Sequence, residues 1–179
     1  MLEILTNNDG LISKENLNSE NALHIAAFYN NKNFVTKYLE LENDGKIIDY
    51  DTPSIQVLNK NGLTPIQVSI VANNSECFKV LMSDKNAKLN VKSITGNSAY
   101  HTCAKVGNVP SFTYLLQNFY SKNPNYLTSK NRKGNTVLHT AAKSGSLEII
   151  TLLYETLKNS STFEQFLLKK VIFFHNRLK

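Results

Sequence analysis

The chain of 179 residues lacks tryptophan and has only two cysteines, four prolines and seven glycines. Cys77 and Cys103 show no paired spacing, which argues against a disulfide framework or a zinc knuckle. The first nine residues lack the basic region of a secretory signal. The most apolar late stretch, 163–174, is too short to cross a bilayer. We therefore expect reduced thiols, no membrane span and a location in the cytoplasm or nucleus.

Acidic residues are scarce in the second half of the chain. Residues 1–89 hold eight lysines and eleven acidic residues, a net of −3, whereas residues 90–179 hold twelve basic and three acidic residues, a net of +9. A basic half is compatible with an acidic protein, nucleic acid or an anionic membrane surface. It is also typical of a solvated face in a sequence rich in lysine and asparagine, which is the interpretation that the composition favours.

Four segments of the chain resemble one another. They begin at residues 18, 59, 93 and 131 and share a column occupied by His24, Gln67, His101 and His139. The spacings within this column are 43, 34 and 38 residues. A helical repeat with a period of about 33 residues and two insertions would produce such spacings. The sequence therefore predicts four stacked units of the helix–turn–helix type.

Local chemistry explains the columns around this position. Three residues earlier stand Asn21, Thr64, Ser98 and Thr136, all of them residues that cap helix N-termini. Two residues before the cap stand Gly62, Gly96 and Gly134, which suit a turn with positive φ. Ser19 takes that place in the first unit, so we expect a looser turn there. Each second helix carries bulky apolar residues at helical spacing, so one hairpin cannot cover its own apolar face and must stack on the next.

These units resemble the ankyrin repeat. The strings ALHIAA, TPIQVSI and TVLHTAAKSGSLEIITLL are similar to its signature T-P-L-H-x-A-A, followed by G and V-x-x-L-L, and the resemblance covers about residues 16–157. Its departures are Ala22, Ala99 and Val137 in place of proline, and Gln67 in place of histidine. Pro110 falls early in a second helix, where proline is tolerated. The resemblance implies an all-α solenoid of about four repeats, with β-turn loops and atypical ends.

The repeat register divides the chain into segments. We expect an N-terminal capping half-repeat at 1–15, repeats at 16–48, 59–92, 93–126 (with an insertion) and 127–160, an inserted loop at 49–58, and a C-terminal capping helix at 161–179. Ser161 and Glu164 fit a capping box at the start of that last helix. Because the segment is apolar on more than one face, it is also compatible with the start of a further repeat or with a docking surface.

No pattern in the chain points to catalysis. The histidines occupy one column of a repeat, so we expect them to be spaced along the stack. The resemblance implies that they orient the turns through hydrogen bonds. Cys103 follows His101 by two residues, which places the two on different sides of a helix. The acidic first insertion lacks the regular alternation of an EF-type calcium loop. We therefore expect no enzyme activity, no metal and no cofactor.

The resemblance also implies a partner-binding groove, formed by the turn tips and the exposed side of the first helices. The positions that it implies are Phe28, Tyr29, Lys60, Asn61, Leu63, Val71, Ile94, Thr95, Asn97, Lys105, Arg132, Lys133, Asn135 and Lys143. Such a groove begins aromatic and ends cationic, and it suits a ligand with one apolar and one acidic end. The alternative for Phe28 is packing against the N-terminal segment.

The function that we expect is binding of one partner protein by a monomer, in a regulatory or inhibitory role. The specific version is masking of a Rel (NF-κB-type) transcription factor, because the repeat-only build and the long linker before a repeat resemble the IκB class. No degron of the DSGxxS kind is present. The alternatives are the targeting module of a host-directed effector or adaptor, acting in the host cytoplasm, and binding of nucleic acid or anionic lipid by the basic half. Nucleic acid is the less favoured partner.

Overall fold

The computed structural model describes residues 15–47 and 52–158, which form nine α-helices and no strand. The helices are α1 Ala22–Phe28, α2 Lys32–Asn43, α3 Pro65–Val71, α4 Ser75–Ser83, α5 Ala99–Val106, α6 Val109–Leu115, α7 Asn125–Thr128, α8 Val137–Ser144 and α9 Leu147–Leu157. A 3₁₀-helix spans Ser54–Gln56, and α6 continues as a π-helix over Leu116–Tyr120. The architecture is all-α, as the repeat predicts.

The first helix of every unit begins where the sequence predicts. The four N-caps are Asn21, Thr64, Ser98 and Thr136. In each unit a capping box joins the cap to the column residue three positions later. Such a box satisfies two backbone donors that have no partner within the helix. Pro65 stands in the first turn of α3, where its missing N–H costs nothing.

The hairpins stack side by side around one continuous core. The first helices contact one another in the order α1, α3, α5, α8, and the second helices in the order α2, α4, α6, α9. Small residues of the first helices are fully buried, namely Ala27, Ser69, Ala104 and Ala141, and they let neighbouring helices approach closely. Large side chains of the second helices, such as Phe78 and Phe112, are also fully buried. Each hairpin therefore covers its apolar face with the next one, as repeat proteins do.

The turn before the first hairpin is as regular as the others, so the expectation of a looser turn is wrong. Ser19 adopts a φ of 54°, close to the 66° of Gly62. The Ser19 N–H donates to the Asn16 carbonyl at 2.9 Å, and the Asn16 N–H donates to the Glu20 carbonyl at 3.1 Å. The Asn16 side-chain oxygen accepts two further backbone N–H bonds, from Asn18 and Glu20. These bonds stabilise the turn enough for a serine to occupy the left-handed region.

The insertion of the third repeat is folded onto the stack. The ring of Tyr126, in α7, stacks on that of Tyr100 with the centroids 6.0 Å apart. Leu127 is fully buried beside it. This short helix therefore extends the core of the third repeat outward.

Other expectations fall outside the part of the chain that the structure describes. They are the N-terminal half-repeat, apart from its last residue, the C-terminal helix with Ser161 and Glu164, and part of the acidic insertion. Within the described residues, no helix has the length and apolar character that a membrane crossing requires.

Candidate functional site

One turn precedes each first helix, and the four turns lie in a row. Each of the last three turns donates one backbone hydrogen bond to the turn before it. These bonds run from Lys60 N–H to Asn18 (2.8 Å), from Ile94 N–H to Gly62 (3.2 Å) and from Arg132 N–H to Thr95 (3.1 Å). The contact is so close that a Cβ atom on Gly62 would lie 2.4 Å from the Ile94 nitrogen. The turn tips are therefore held in a fixed register.

The column residue of each repeat ties its hairpin to the following turn. Nε2 of His24 bonds the Leu63 carbonyl at 2.9 Å, Nε2 of Gln67 the Asn97 carbonyl at 2.8 Å, and Nε2 of His101 the Asn135 carbonyl at 3.0 Å. Each of these carbonyls belongs to the residue just before the next helix cap. The prediction that the histidines orient the turns is confirmed for His24 and His101, and Gln67 makes the equivalent bond in the second repeat.

Burial favours the neutral form of the two histidines that make these links. His24 and His101 are fully buried, and desolvation lowers the pKa of both imidazoles below 6.5. The Nδ1 atom of each accepts the backbone N–H of its cap residue, so Nε2 carries the proton that is donated to the next turn. Each imidazole is thus committed to two structural hydrogen bonds.

His139 differs from the other column residues. Its Nδ1 accepts the Thr136 N–H at 3.3 Å, which completes the capping box, and lies 2.6 Å from the Thr136 hydroxyl. Its Nε2 is buried and has no hydrogen-bond partner among the described residues.

The turn tips and the exposed ends of the first helices form one face, which we call the turn–helix surface. Eleven of the predicted contact residues are exposed on it, namely Phe28, Tyr29, Lys60, Asn61, Val71, Ile94, Thr95, Lys105, Arg132, Lys133 and Lys143. Leu63 and Asn135 are half-buried. Asn97 is buried, and its side-chain oxygen accepts a bond from Asn131 Nδ2 at 2.8 Å. Asn97 therefore links two turns through its side chain.

The first-repeat end of this surface is aromatic. Phe28 and Tyr29 are 54% and 73% exposed and form a T-shaped pair with ring centroids 5.1 Å apart. Val71 and Ile94 continue the row of exposed apolar side chains onto the second and third repeats. Phe28 is therefore not a core residue of the described structure. The N-terminal segment that was its alternative packing partner is outside the described residues.

The fourth-repeat end is cationic. Residues 59–72, 92–107 and 130–145, which form the turns and first helices of repeats two to four, contain seven basic residues and no acidic residue. The seven are Lys60, Lys92, Lys105, Lys130, Arg132, Lys133 and Lys143, and all are exposed. The five ion pairs of the described residues lie instead on the second helices and the loops beside them. Among the described residues, the turns and first helices of repeats two to four therefore hold no carboxylate that would neutralise these cations.

Sequence reasoning missed two of these cations. Lys92 and Lys130 stand just before the third and fourth turns, and Lys92 Nζ donates to the Lys130 carbonyl at 3.1 Å. The charge separates between faces of the stack, and a comparison of the two halves of the chain does not reveal this separation. A count of acidic residues restricted to the turns and first helices would have found it.

The thiols are not placed for nucleophilic chemistry. Cys77 and Cys103 are fully buried, and burial raises the pKa of both thiols, whereas the reactive form is the thiolate. Among the described residues, no three or more His, Cys, Asp or Glu side chains lie together in a way that would hold a metal ion.

Comparison with known proteins places the fold in a family. A family model of ankyrin repeats in three copies matches residues 1–93 and again residues 73–163. No curated protein matches the chain. Ankyrin repeats are non-enzymatic modules that generally mediate protein–protein interaction. With its stacked hairpins, linked turns and matched sequence, the chain belongs to the ankyrin-repeat family.

Proposed function

We propose that the protein binds one partner protein through the turn–helix surface and regulates that partner by occluding it. The observation that carries this proposal is the two-ended chemistry of the surface, which is aromatic at Phe28 and Tyr29 and cationic on the fourth repeat. Exposed aromatic and arginine side chains are the residue types most often found as interface anchors. The bonds between turns fix the surface in advance, which lowers the entropy lost on binding.

The finer version of this proposal is masking of a Rel-type transcription factor in the cytoplasm or nucleus, as in the IκB class. The insertion before the second repeat supports it. A pull-down with a purified Rel-homology domain tests it directly. Retention at micromolar concentration supports the masking role, and no retention at that concentration removes it.

Affinity capture with matched variants tests the surface itself. Phe28→Ala with Tyr29→Ala removes the aromatic end, and Arg132→Glu reverses a charge on the fourth turn. Truncation of an interface anchor typically costs about 2 kcal/mol or more of binding free energy. We therefore expect the aromatic variant to bind a captured partner with roughly thirtyfold lower affinity. The Arg132 variant should mainly slow association and alter its salt dependence.

The control variant for this capture is Tyr154→Ala, because Tyr154 is a half-exposed aromatic residue on the second helix α9. It should capture the same proteins as the wild type. If the turn–helix variants and the control retain every captured protein equally, the assignment of this surface is wrong.

A further inference from the structure

A cleft of about 260 Å³ lies between the third and fourth turns. Three lysines surround it, Lys105 and Lys143 from the first helices and Lys133 from the fourth turn. The rest of its lining is neutral and polar and includes Asn135 and Thr140. No acidic side chain of the described residues lines it. The cleft is therefore a cationic site with amide and hydroxyl groups between its charges.

The fold stabilises the positive charge of two of these lysines by means other than a neighbouring carboxylate. Lys105 and Lys143 lie in the last turns of α5 and α8, where the carbonyl ends of a helix stabilise positive charge. None of the five ion pairs of the described residues includes a lysine of the cleft. An incoming carboxylate would therefore displace no internal partner.

The residue types favour carboxylates over phosphate. Phosphate sites commonly use arginine forks or the N–H groups of a helix N-terminus. This cleft has no arginine in its lining, and two of its lysines lie at helix C-termini. Its asparagine and threonine side chains can bond the amide groups of a peptide. Sites for single-stranded nucleic acid place stacking aromatics among the cations, whereas Phe28 and Tyr29 lie at the opposite end of the stack.

We propose that this cleft binds an acidic peptide segment of the partner, with lysines 105, 133 and 143 pairing its carboxylates. The proposal rests on the proposed function and adds the charge and direction of the bound segment. Packed helices lie about 8–10 Å apart, so the cleft is roughly 20–25 Å from the aromatic pair. An extended segment of about seven residues spans that distance at about 3.3 Å per residue. The partner therefore carries its acidic cluster about seven residues from an apolar anchor.

Chemical-shift titration of the full-length ¹⁵N-labelled chain tests this proposal. The probe is a synthetic peptide with a Phe-Leu end, a seven-residue Ser/Ala spacer and a Glu-Asp-Glu-Asp end. The matched peptide has Gln and Asn in place of the four acids. We expect the acidic peptide to shift the amide signals of Lys105, Asn135 and Thr140, and the matched peptide to leave them in place.

Charge reversal locates the binding. Lys133→Glu with Lys143→Glu should weaken binding of the acidic peptide on the order of tenfold, since two exposed ion pairs are lost and replaced by repulsion. The control is Lys85→Glu with Lys88→Glu, which makes the same charge change at exposed positions outside the cleft. It should weaken binding less than twofold. Circular dichroism checks that both variants are folded.

Several results would overturn the proposal. They are equal binding of the matched peptide, equal weakening by the control variant, and no shift of the cleft signals at millimolar acidic peptide. Tighter binding of a phosphoserine peptide or of single-stranded DNA at physiological salt would assign the cleft to phosphate instead. If Phe28→Ala with Tyr29→Ala abolishes capture of a partner while Lys133→Glu with Lys143→Glu does not, the acidic segment is excluded and the proposed function stands.

Discussion

Substitution of His101 tests how the repeats hold one another. This side chain is fully buried, accepts the Ser98 N–H at Nδ1 and donates from Nε2 to the Asn135 carbonyl at 3.0 Å. The second repeat makes the same pair of bonds with Gln67, whose Oε1 accepts its cap N–H at 3.2 Å and whose Nε2 donates at 2.8 Å. Glutamine therefore serves as the matched replacement that the chain itself supplies.

The loss of unfolding free energy should be several times larger in His101→Ala than in His101→Gln. His101→Ala removes both bonds, leaves the buried Ser98 N–H unsatisfied at a cost of about 1–3 kcal/mol, and leaves the Asn135 carbonyl with only its bond from the Asn131 N–H. We expect it to lower the free energy of unfolding by about 3 kcal/mol. His101→Gln keeps a donor and an acceptor at the same reach and should cost less than about 1 kcal/mol.

Urea unfolding at pH 7.5, followed by far-UV circular dichroism, measures this difference. The slopes of the transitions must agree before free energies are compared, because repeat arrays can lose two-state behaviour. If the glutamine variant is as unstable as the alanine variant, the imidazole ring does something other than bridge the cap and the next turn. That result would refute the role of residue 101 as a bridge between its own helix cap and the next turn.

Three further perturbations test the same reasoning. Because burial lowers the pKa of His24 and His101, the unfolded chain binds protons at these sites at a higher pH than the folded chain does. Urea titrations should therefore give the largest free energy of unfolding above pH 6.5 and a decreasing value below it. The decrease should be smaller in His101→Gln. His139→Ala should cost less than His101→Ala in the same assay, because its Nε2 has no partner among the described residues; an equal loss would mean that later residues supply the bond. Gly62→Ala should lower the melting temperature more than Gly134→Ala, since both have similar positive φ but a Cβ would meet another atom within 4 Å only at Gly62; equal losses would show that backbone strain alone matters.

Short-range chemistry made the hairpins predictable from the sequence. A cap and the side chain three residues later contact each other within one helical turn, so Thr64 and Gln67 could be assigned without knowledge of the rest of the fold. The bond between Asn97 and Asn131 was not predicted, because these two residues are neighbours only after two turns have stacked. The turn at Ser19 was misjudged for a related reason. The preference of glycine over serine for positive φ predicted a looser turn, but the hydrogen bonds that Asn16 makes within the turn stabilise it.

The bonds that stabilise the stack also position the surface that we propose for binding. His101 Nε2 holds the Asn135 carbonyl at the base of the fourth turn, and the same turn presents Lys133 to the cleft. A loosened Asn135 would let Lys133 move away from Lys105 and Lys143, although no charge would have changed. Loss of the buried bond should therefore weaken binding of an acidic segment even at temperatures where the variant remains folded. Glutamine at position 101 should restore both properties together, because the position of the turn, and not the imidazole itself, links stability to recognition.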